Sequence, residues 1–129
     1  MINLTAPDGS NVAVDGTLVV RARRTVRGEA VGAKTRIDWP DMQFVQEGIE
    51  VVAPRLAAEL STFTSLTSRD GSQIWFNGKV ATGPIRLLPS EQDGVVNSSI
   101  KLMGYRQYVT ESSDQVRAVL KSNGGTVLP

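Results

Sequence analysis

The sequence predicts an α+β protein made of two similar β-rich modules, each with four or five short antiparallel strands and one C-terminal helix. Three observations predict this fold: a block near the N-terminus recurs later in the chain, short β-favouring runs alternate with turn residues, and an apolar helical stripe closes each copy. The chain has 129 residues, 40% of them hydrophobic, which suits one domain or two very small ones. We expect modules at residues 1–62 and 63–129, packed as a pseudo-symmetric pair because units of about 60 residues are marginal alone.

The internal repeat rests on two aligned blocks. The segment LTAPDGS at residues 4–10 aligns with LTSRDGS at residues 66–72, an offset of 62, and six of the thirteen positions that start at Leu4 are identical. Later, QFVQE at residues 43–47 aligns with QYVTE at residues 107–111, an offset of 64. The two extra residues fall in the middle of the second copy, where a run rich in Pro, Ser, Asp and Gly predicts a loop.

Each module begins with a predicted β-hairpin. Residues 2–5 and 11–14 are β-favouring runs around a turn in which Pro7 presets the first turn position and Gly9 accepts a positive φ. The remaining strands are predicted at residues 17–22, 35–39 and 43–46 of the first copy and at residues 79–87, 99–103 and 107–110 of the second.

The helix of the second module has clear signals at both ends. Ser112 and Gln115 have the spacing of a capping box, in which the serine hydroxyl accepts from the glutamine amide and the glutamine side chain reaches back. Val116, Val119 and Leu120 then fall on one face, and the Asn-Gly-Gly that follows stops the helix. The sequence therefore predicts a short helix that packs through this face.

The helix of the first module is predicted from a similar stripe. Its apolar face consists of Val52, Leu56, Ala57 and Leu60. Pro54 is expected in the first turn of this helix, because only there do the backbone amides lack partners anyway.

The composition excludes most catalytic chemistry. The chain has no Cys and no His, which removes Ser-His-Asp and Cys-His nucleophiles, zinc cages, thiol redox pairs and histidine-ligated haem. Glu47 and Glu111 recur before the two helices, and an interaction with the helix dipole explains them more simply than general acid–base catalysis. We therefore predict a protein that is not an enzyme and that has no catalytic, cofactor-binding or metal-binding residues.

Charge and hydropathy bear on location and partners. The net charge of +1 gives the whole chain no attraction to nucleic acid or to an anionic membrane. No apolar run is long enough to span a bilayer, and the N-terminal residues lack the features of a signal peptide. These patterns predict a cytoplasmic protein without a membrane partner.

One segment of the chain is strongly basic. Residues 21–36 contain six bases and the single acid Glu29. The candidate anion or nucleic-acid patch, which would hold phosphates without reading sequence, consists of Arg21, Arg23, Arg24 and Arg27. The alternative is a solvated strand edge on which arginines discourage edge-to-edge pairing, and we favour it because the second copy lacks this patch.

Trp75 is the candidate interface residue. Alternation along its strand directs Ile74 and Phe76 into the module core and Trp75 to the opposite face, where the first copy has Ala13. Because an exposed tryptophan would leave a large apolar surface, we expect Trp75 to pack at the junction between the copies or in an oligomer interface. Ala13 would make room for it on the matching face.

The order of these motifs resembles the small FlbD/SwrD flagellar and swarming-motility proteins. The resemblance rests on Leu-Thr, two residues and Asp-Gly in residues 66–71, and on Tyr-Val-Thr-Glu-Ser at residues 108–112 before an apolar helix. The first copy keeps Met-Ile-Asn-Leu-Thr at its start but has Gly48 where the pattern has Ser. The resemblance implies a tandem module with a role in flagellar function and no known catalytic residue.

A second resemblance is to the carbon storage regulators, which bind RNA. Those proteins also begin Met-x-x-Leu-Thr, as residues 1–5 do here, and have five short strands and a C-terminal helix. The arginine that the family has before its acidic residues is missing, since Gln46 and Thr110 occupy the nearest positions.

The sequence therefore predicts a non-enzymatic interaction or regulatory protein that binds a protein partner or self-associates. Two alternatives stay open: a regulator that binds RNA or a phosphate backbone through residues 21–36, and a structural subunit of a homo-oligomer.

Overall fold

The computed structural model describes all 129 residues and contains eleven strands and two helices. Both halves of the chain contain a hairpin, a 3-10 turn, three further strands and a helix in this order, and the second half has an additional 3-10 turn at Pro89–Glu91. The first half contains β1 (Ile2–Thr5), β2 (Asn11–Val14), β3 (Arg21–Arg24), β4 (Thr35–Asp38), β5 (Met42–Val45) and α1 (Ile49–Glu59). The second contains β6 (Phe63–Thr67), β7 (Gln73–Asn77), β8 (Ala81–Ile85), β9 (Ser98–Leu102), β10 (Tyr105–Val109) and α2 (Ser113–Ser122), and β11 (Thr126–Val127) follows. The predicted α+β class is confirmed.

The strands form three sheets, and one sheet contains strands from both halves. The β1–β2 hairpin stands alone, the second sheet has the order β5-β4-β3-β7-β6, and the third has the order β10-β9-β8-β11. All neighbours are antiparallel except β8 and β11. In the shared sheet, Arg21 and Ala22 of β3 lie opposite Phe76 and Trp75 of β7. The predicted boundary at residue 62 therefore does not separate two independent sheets.

The two hairpins at residues 2–14 and 63–77 have equivalent turns. The Ala6 N–H donates to the Ser10 carbonyl at 2.8 Å, and the equivalent bond in the second half also measures 2.8 Å. Gly9 and Gly71 take φ values of 89° and 88°, a region that costs glycine nothing and other residues strain. The turns are therefore set by local sequence, as predicted.

The third strand of each half begins later than predicted. Residues 16–18 and 78–80 form 3-10 turns. The side chain of Asp15 accepts from the Thr17 N–H at 3.0 Å, and the side chain of Asn77 accepts from the Lys79 N–H at 3.1 Å. Such short-range bonds from Asp and Asn favour a turn over an extended strand.

The second helix matches its prediction, while the first differs from it. Ser112 and Gln115 form the capping box on α2, with bonds of 2.9 and 3.2 Å. In α1, Pro54 is not in the first turn but is the sixth residue. The helix begins at Ile49, Val52 on it is buried, and Pro54 lies on its exposed face. Neither helix is long and apolar enough to cross a membrane.

The buried face of α1 is also shifted from the prediction. Ala53 is 3% exposed and packs in the core, whereas Ala57 is exposed. No side chain caps α1, because Gly48 occupies the position that Ser112 holds in α2. The helix therefore depends on tertiary packing more than α2 does.

Two hydrophobic clusters form the core, and each contains residues from the other half. The first cluster packs α1 on the hairpin and on β3 to β5, and it includes Phe63 of the second half. The second cluster packs α2 on the second half and includes Val20 of the first. Val19 and Val20 are consecutive and enter different clusters. The halves are therefore held together by exchanged side chains as well as by the shared sheet.

Glu47 and Glu111 contact strands instead of the helix termini. The Glu47 carboxylate accepts from the Thr5 N–H at 2.9 Å and from the Thr5 hydroxyl at 3.0 Å. Glu111 accepts in the same way from Thr67, at 2.9 and 2.8 Å. We call each pair a Thr–Glu clasp. Each clasp ties the first strand of its half to the start of the helix, a contact that the sequence did not predict.

The second clasp can be tested by a double-mutant cycle. Glu111→Ala leaves the Thr67 N–H without a charged acceptor, and we expect the free energy of unfolding to fall by about 2 kcal/mol. With Thr67→Val in the same chain, the coupling energy should be about 1 kcal/mol. Urea unfolding gives the free energy of unfolding of the wild type, the two single variants and the double variant. Asp41→Ala, which removes an exposed carboxylate without a side-chain hydrogen bond, is the control, and a coupling energy near zero contradicts the assignment.

Candidate functional site

An apolar cleft lies between the two halves of the chain and has a volume of about 530 Å³. The 3-10 turns and the turns of the β4–β5 and β9–β10 hairpins form its walls. The lining residues are Thr17, Leu18, Val19, Val20, Trp39 and Pro40 from the first half and Asn77, Val80, Met103, Gly104 and Tyr105 from the second. We call this site the junction cleft. Its volume falls within the range of ordinary ligand pockets.

Large apolar side chains stand exposed around the junction cleft. Leu18 is 51% exposed, Met103 63% and Tyr105 36%. Exposed apolar residues that are grouped in one concave place mark binding surfaces more often than scattered ones do. The grouping identifies this cleft as the strongest candidate site of the chain.

The backbone at Met103 is strained. Its φ is 54°, and it is the only residue other than glycine with a positive φ. That conformation costs a side-chain-bearing residue about 1–2 kcal/mol, which glycine would avoid. Backbone strain of this kind often occurs at functional sites. Here the strained conformation places Met103 at the wall of the cleft.

Trp39 lines the cleft and also has an unsatisfied polar atom. Its Nε1 is buried and has no hydrogen-bond partner, although its ring packs against the first core cluster. A buried donor without an acceptor costs about 1–3 kcal/mol. This N–H is shielded from the surface and therefore offers no donor to the cleft.

Arg21 contacts Tyr105, one of the residues that line the cleft. This side chain is buried, and its Nε and Nη2 lie 2.8 and 2.7 Å from Asp38 Oδ2. Its Nη1 donates to Gln107 Oε1 at 2.8 Å, and its guanidinium lies 4.9 Å from the centre of the Tyr105 ring. Arg21 thus connects β3 with β10 of the other half and holds Tyr105 in place.

The four arginines of the predicted patch do not share one environment. Arg21 is paired with Asp38, and Arg23 makes two hydrogen bonds of 3.0 Å to the Glu29 carboxylate. Arg36 adds bonds to both acids. Arg24 and Arg27 are exposed and form no salt bridge. Only these two members of the patch are therefore available to an anion.

Trp75 lies between the halves of the chain. It is partly buried against the first core cluster and stacks on Phe63 with ring centres 5.7 Å apart. The small residue opposite Trp75 is Ala22 on β3, and not Ala13, which is exposed on β2. The neighbour differs from the expectation because β3 crosses to pair with β7, which sequence alternation alone does not reveal.

The junction cleft itself was not predicted from the sequence. Trp39, Met103 and Leu18 lie in turns that are far apart in the chain and meet only because the two halves pack together. One signal was present: Leu18 and Val80 align at the repeat offset of 62, and both are apolar residues in 3-10 turns. No group of three or more acidic side chains comes together in a way that could hold a metal ion.

Comparison with known proteins finds no match among family models, curated proteins or solved structures. The assignment of a function therefore depends on the residues and contacts of this chain.

Arg23 lowers the pKa of Glu29 through its two hydrogen bonds to the carboxylate, and the pKa falls from 4.5 to about 2. A carboxyl group with a lower pKa in the folded state stabilises the protein above its unfolded pKa and loses that contribution as the pH falls. We expect this contribution to be present at neutral pH and to disappear between pH 4.5 and about 2. Glu29→Gln should cost about 1–3 kcal/mol at neutral pH.

Urea unfolding of wild type and Glu29→Gln at neutral and acidic pH measures this effect. The difference in the free energy of unfolding between the two proteins should shrink as the pH is lowered. Asp41→Asn, at an exposed acid, should show no such narrowing. A difference that stays constant with pH contradicts the role of the Arg23–Glu29 pair.

Proposed function

We propose that this protein is a non-enzymatic interaction protein that holds an apolar segment of a protein partner in the junction cleft. The observation that carries the proposal is the grouping of Leu18, Met103 and Tyr105 around the cleft. The apolar side chains of a peptide complement such a surface.

The rim of the cleft favours a protein over a small molecule. The exposed side chains of Leu18 and Met103 extend the apolar surface beyond the cavity, where a peptide backbone can follow it. Methionine suits such a surface because its side chain is flexible and polarisable and adapts to the shape of the partner.

The polar residues of the cleft support a binding role without catalysis. No Asp, Glu, Lys or Arg lines it, so a general acid or base would have to come from elsewhere. Asp38, the neighbour of Trp39 in the chain, is held by Arg21 and Arg36 and therefore serves the fold.

The resemblance to the FlbD/SwrD proteins extends the proposal to motility. It rests on the Leu-Thr and Asp-Gly positions of the hairpins and on Glu47 and Glu111, and the contacts of these residues are internal to each half. Loss of motility after deletion of the gene in its native host, restored by wild type but not by Met103→Asp, supports this part. Unchanged motility contradicts it.

The predicted phosphate-binding alternative has less support. Arg21 and Arg23 are engaged in internal ion pairs, which leaves Arg24 and Arg27 as a small exposed pair. Arg24 shares a pocket with the exposed Lys34, but Glu50 lines the same pocket and Arg27 does not.

A random peptide library, selected on wild type and counter-selected on Met103→Asp, tests the binding proposal. We expect the retained peptides to be rich in apolar residues. Leu18→Asp and Met103→Asp should each weaken their affinity at least tenfold, about 1.4 kcal/mol, because a charge in the cleft would lose hydration on binding.

Fluorescence polarisation with a labelled peptide measures these affinities. Val31→Asp is the matched control, because Val31 is 95% exposed and does not line the cleft. The proposal fails if no apolar peptide is retained, or if Val31→Asp weakens binding as much as Met103→Asp does.

A further inference from the structure

The chain contains two Asn-Gly dipeptides in different environments. The core dipeptide, Asn77-Gly78, lies between β7 and the 3-10 turn that follows it, and the tail dipeptide, Asn123-Gly124, lies between α2 and β11. In such a dipeptide the backbone nitrogen of glycine can attack the side-chain carbonyl carbon of asparagine, because glycine has no side chain that hinders the approach. The surroundings of each dipeptide decide whether it reacts.

The core dipeptide is held in place by hydrogen bonds. Asn77 is buried, and its side-chain oxygen accepts from the Thr62 hydroxyl and from the Lys79 N–H. The Gly78 N–H, which carries the attacking nitrogen, donates to the Thr62 carbonyl at 2.8 Å. Asn77 also ends β7, which is paired on both sides in the shared sheet. Reaction at Asn77 therefore requires this sheet to open.

The tail dipeptide leaves the attacking nitrogen free. The N–H groups of Asn123 and Gly125 donate to the Leu120 carbonyl, at 3.1 and 2.8 Å, but the Gly124 N–H donates to no protein acceptor. The Asn123 side chain makes one hydrogen bond, from Nδ2 to the Val119 carbonyl at 2.8 Å. Nδ2 is the leaving group of the reaction, so this bond does not cover the carbon that is attacked.

Ring closure needs a backbone rotation at Asn123. Its ψ is 19°, which turns the Gly124 nitrogen away from the asparagine side chain. The rotation displaces only the residues that follow, in which β11 pairs with β8 through two residue pairs and both of its residues are exposed. A chain end held by so few contacts opens at a much smaller free-energy cost than a central strand does.

We propose that Asn123 is a site of spontaneous deamidation and that Asn77 is protected from it. The Gly124 nitrogen loses its proton to solvent base and bonds to Cγ of Asn123, the Cγ–Nδ2 bond breaks, and Nδ2 leaves as ammonia after taking a proton from water. Water then opens the five-membered succinimide ring at either of its carbonyls. The products are aspartate and isoaspartate, and the net reaction consumes one water and releases one ammonia.

The modification changes the contacts at the end of α2. The new carboxylate lies at the C-terminus of the helix, where negative charge is unfavourable, and it cannot donate to the Val119 carbonyl. Isoaspartate also adds one methylene group to the backbone close to Gly125, which is tightly packed: a Cβ there would lie 2.7 Å from the Gly78 carbonyl oxygen and 3.1 Å from that of Ala81. We therefore expect the isoaspartate form to release β11 from β8.

Mass spectrometry of the aged chain tests the site. The folded wild type is incubated at mildly alkaline pH in water enriched in heavy oxygen and is then digested at acidic pH in ordinary water, so that heavy oxygen marks only conversion in the intact chain. We expect Asn123 to convert at least tenfold faster than Asn77 and to give both aspartate and isoaspartate. Incubation at mildly acidic pH should slow the conversion, because the attacking nitrogen must lose its proton.

The matched control is the same incubation in a denaturing concentration of urea. Unfolding removes the contacts of both dipeptides, so their rates should become similar. Equal conversion in the folded chain overturns the proposal, as does an absence of isoaspartate at residue 123. A slow Asn77 in the unfolded chain also overturns it, because local sequence would then cause the difference.

Amide hydrogen exchange followed by NMR tests the release of β11. The Leu128 N–H donates to the Gly83 carbonyl at 2.7 Å, and its protection should fall in proportion to the isoaspartate content. Asn123→Gln, whose longer side chain disfavours the ring, should keep this protection after the same incubation. Unchanged exchange at Leu128 in the modified chain contradicts the release. These readouts are independent of the junction cleft, and Met103→Asp should change none of them.

Discussion

The pairing of β3 with β7 is the contact on which the rest of the structure depends. It joins the two halves in one sheet, sends Val20 into the second core cluster and allows Trp75 to cover the first. Arg21 on β3 strengthens the same crossing, because its buried guanidinium binds Asp38 on one side and Gln107 of the other half on the opposite side. Removing one partner of such a buried ion pair typically lowers the free energy of unfolding by about 3–5 kcal/mol. The junction therefore stabilises the fold and also positions the walls of the cleft.

The junction cleft follows from this crossing. When β3 lies beside β7, the turn at Trp39 from the first half comes opposite the turn at Met103 from the second, and the two 3-10 turns close the sides. Neither half alone contains the site. A binding role at this position therefore gives a physical reason for two small modules to occur in one chain.

Local features of the fold could be predicted from the sequence, because they depend on neighbouring residues. The hairpin turns follow from Asp-Gly-Ser, and the α2 cap follows from Ser112 and Gln115. The position of Pro54 in α1 was predicted wrongly because the burial of Val52 and Leu56 outweighs the helix preference of a single residue. The β3–β7 pairing, the neutralisation of Arg21 and the cleft all depend on contacts between distant segments, which no local pattern specifies.

The differences between the aligned copies are informative about the junction. Thr5 with Thr67 and Glu47 with Glu111, which are identical in both copies, make contacts inside one half, whereas Gln107, identical to Gln43, binds Arg21 of the other half. Positions that differ, such as Arg21 with Gly83 and Ala13 with Trp75, lie where strands of the two halves meet or where a meeting edge is open. These differing positions accompany the single shared sheet, in which β3 of the first half pairs with β7 of the second.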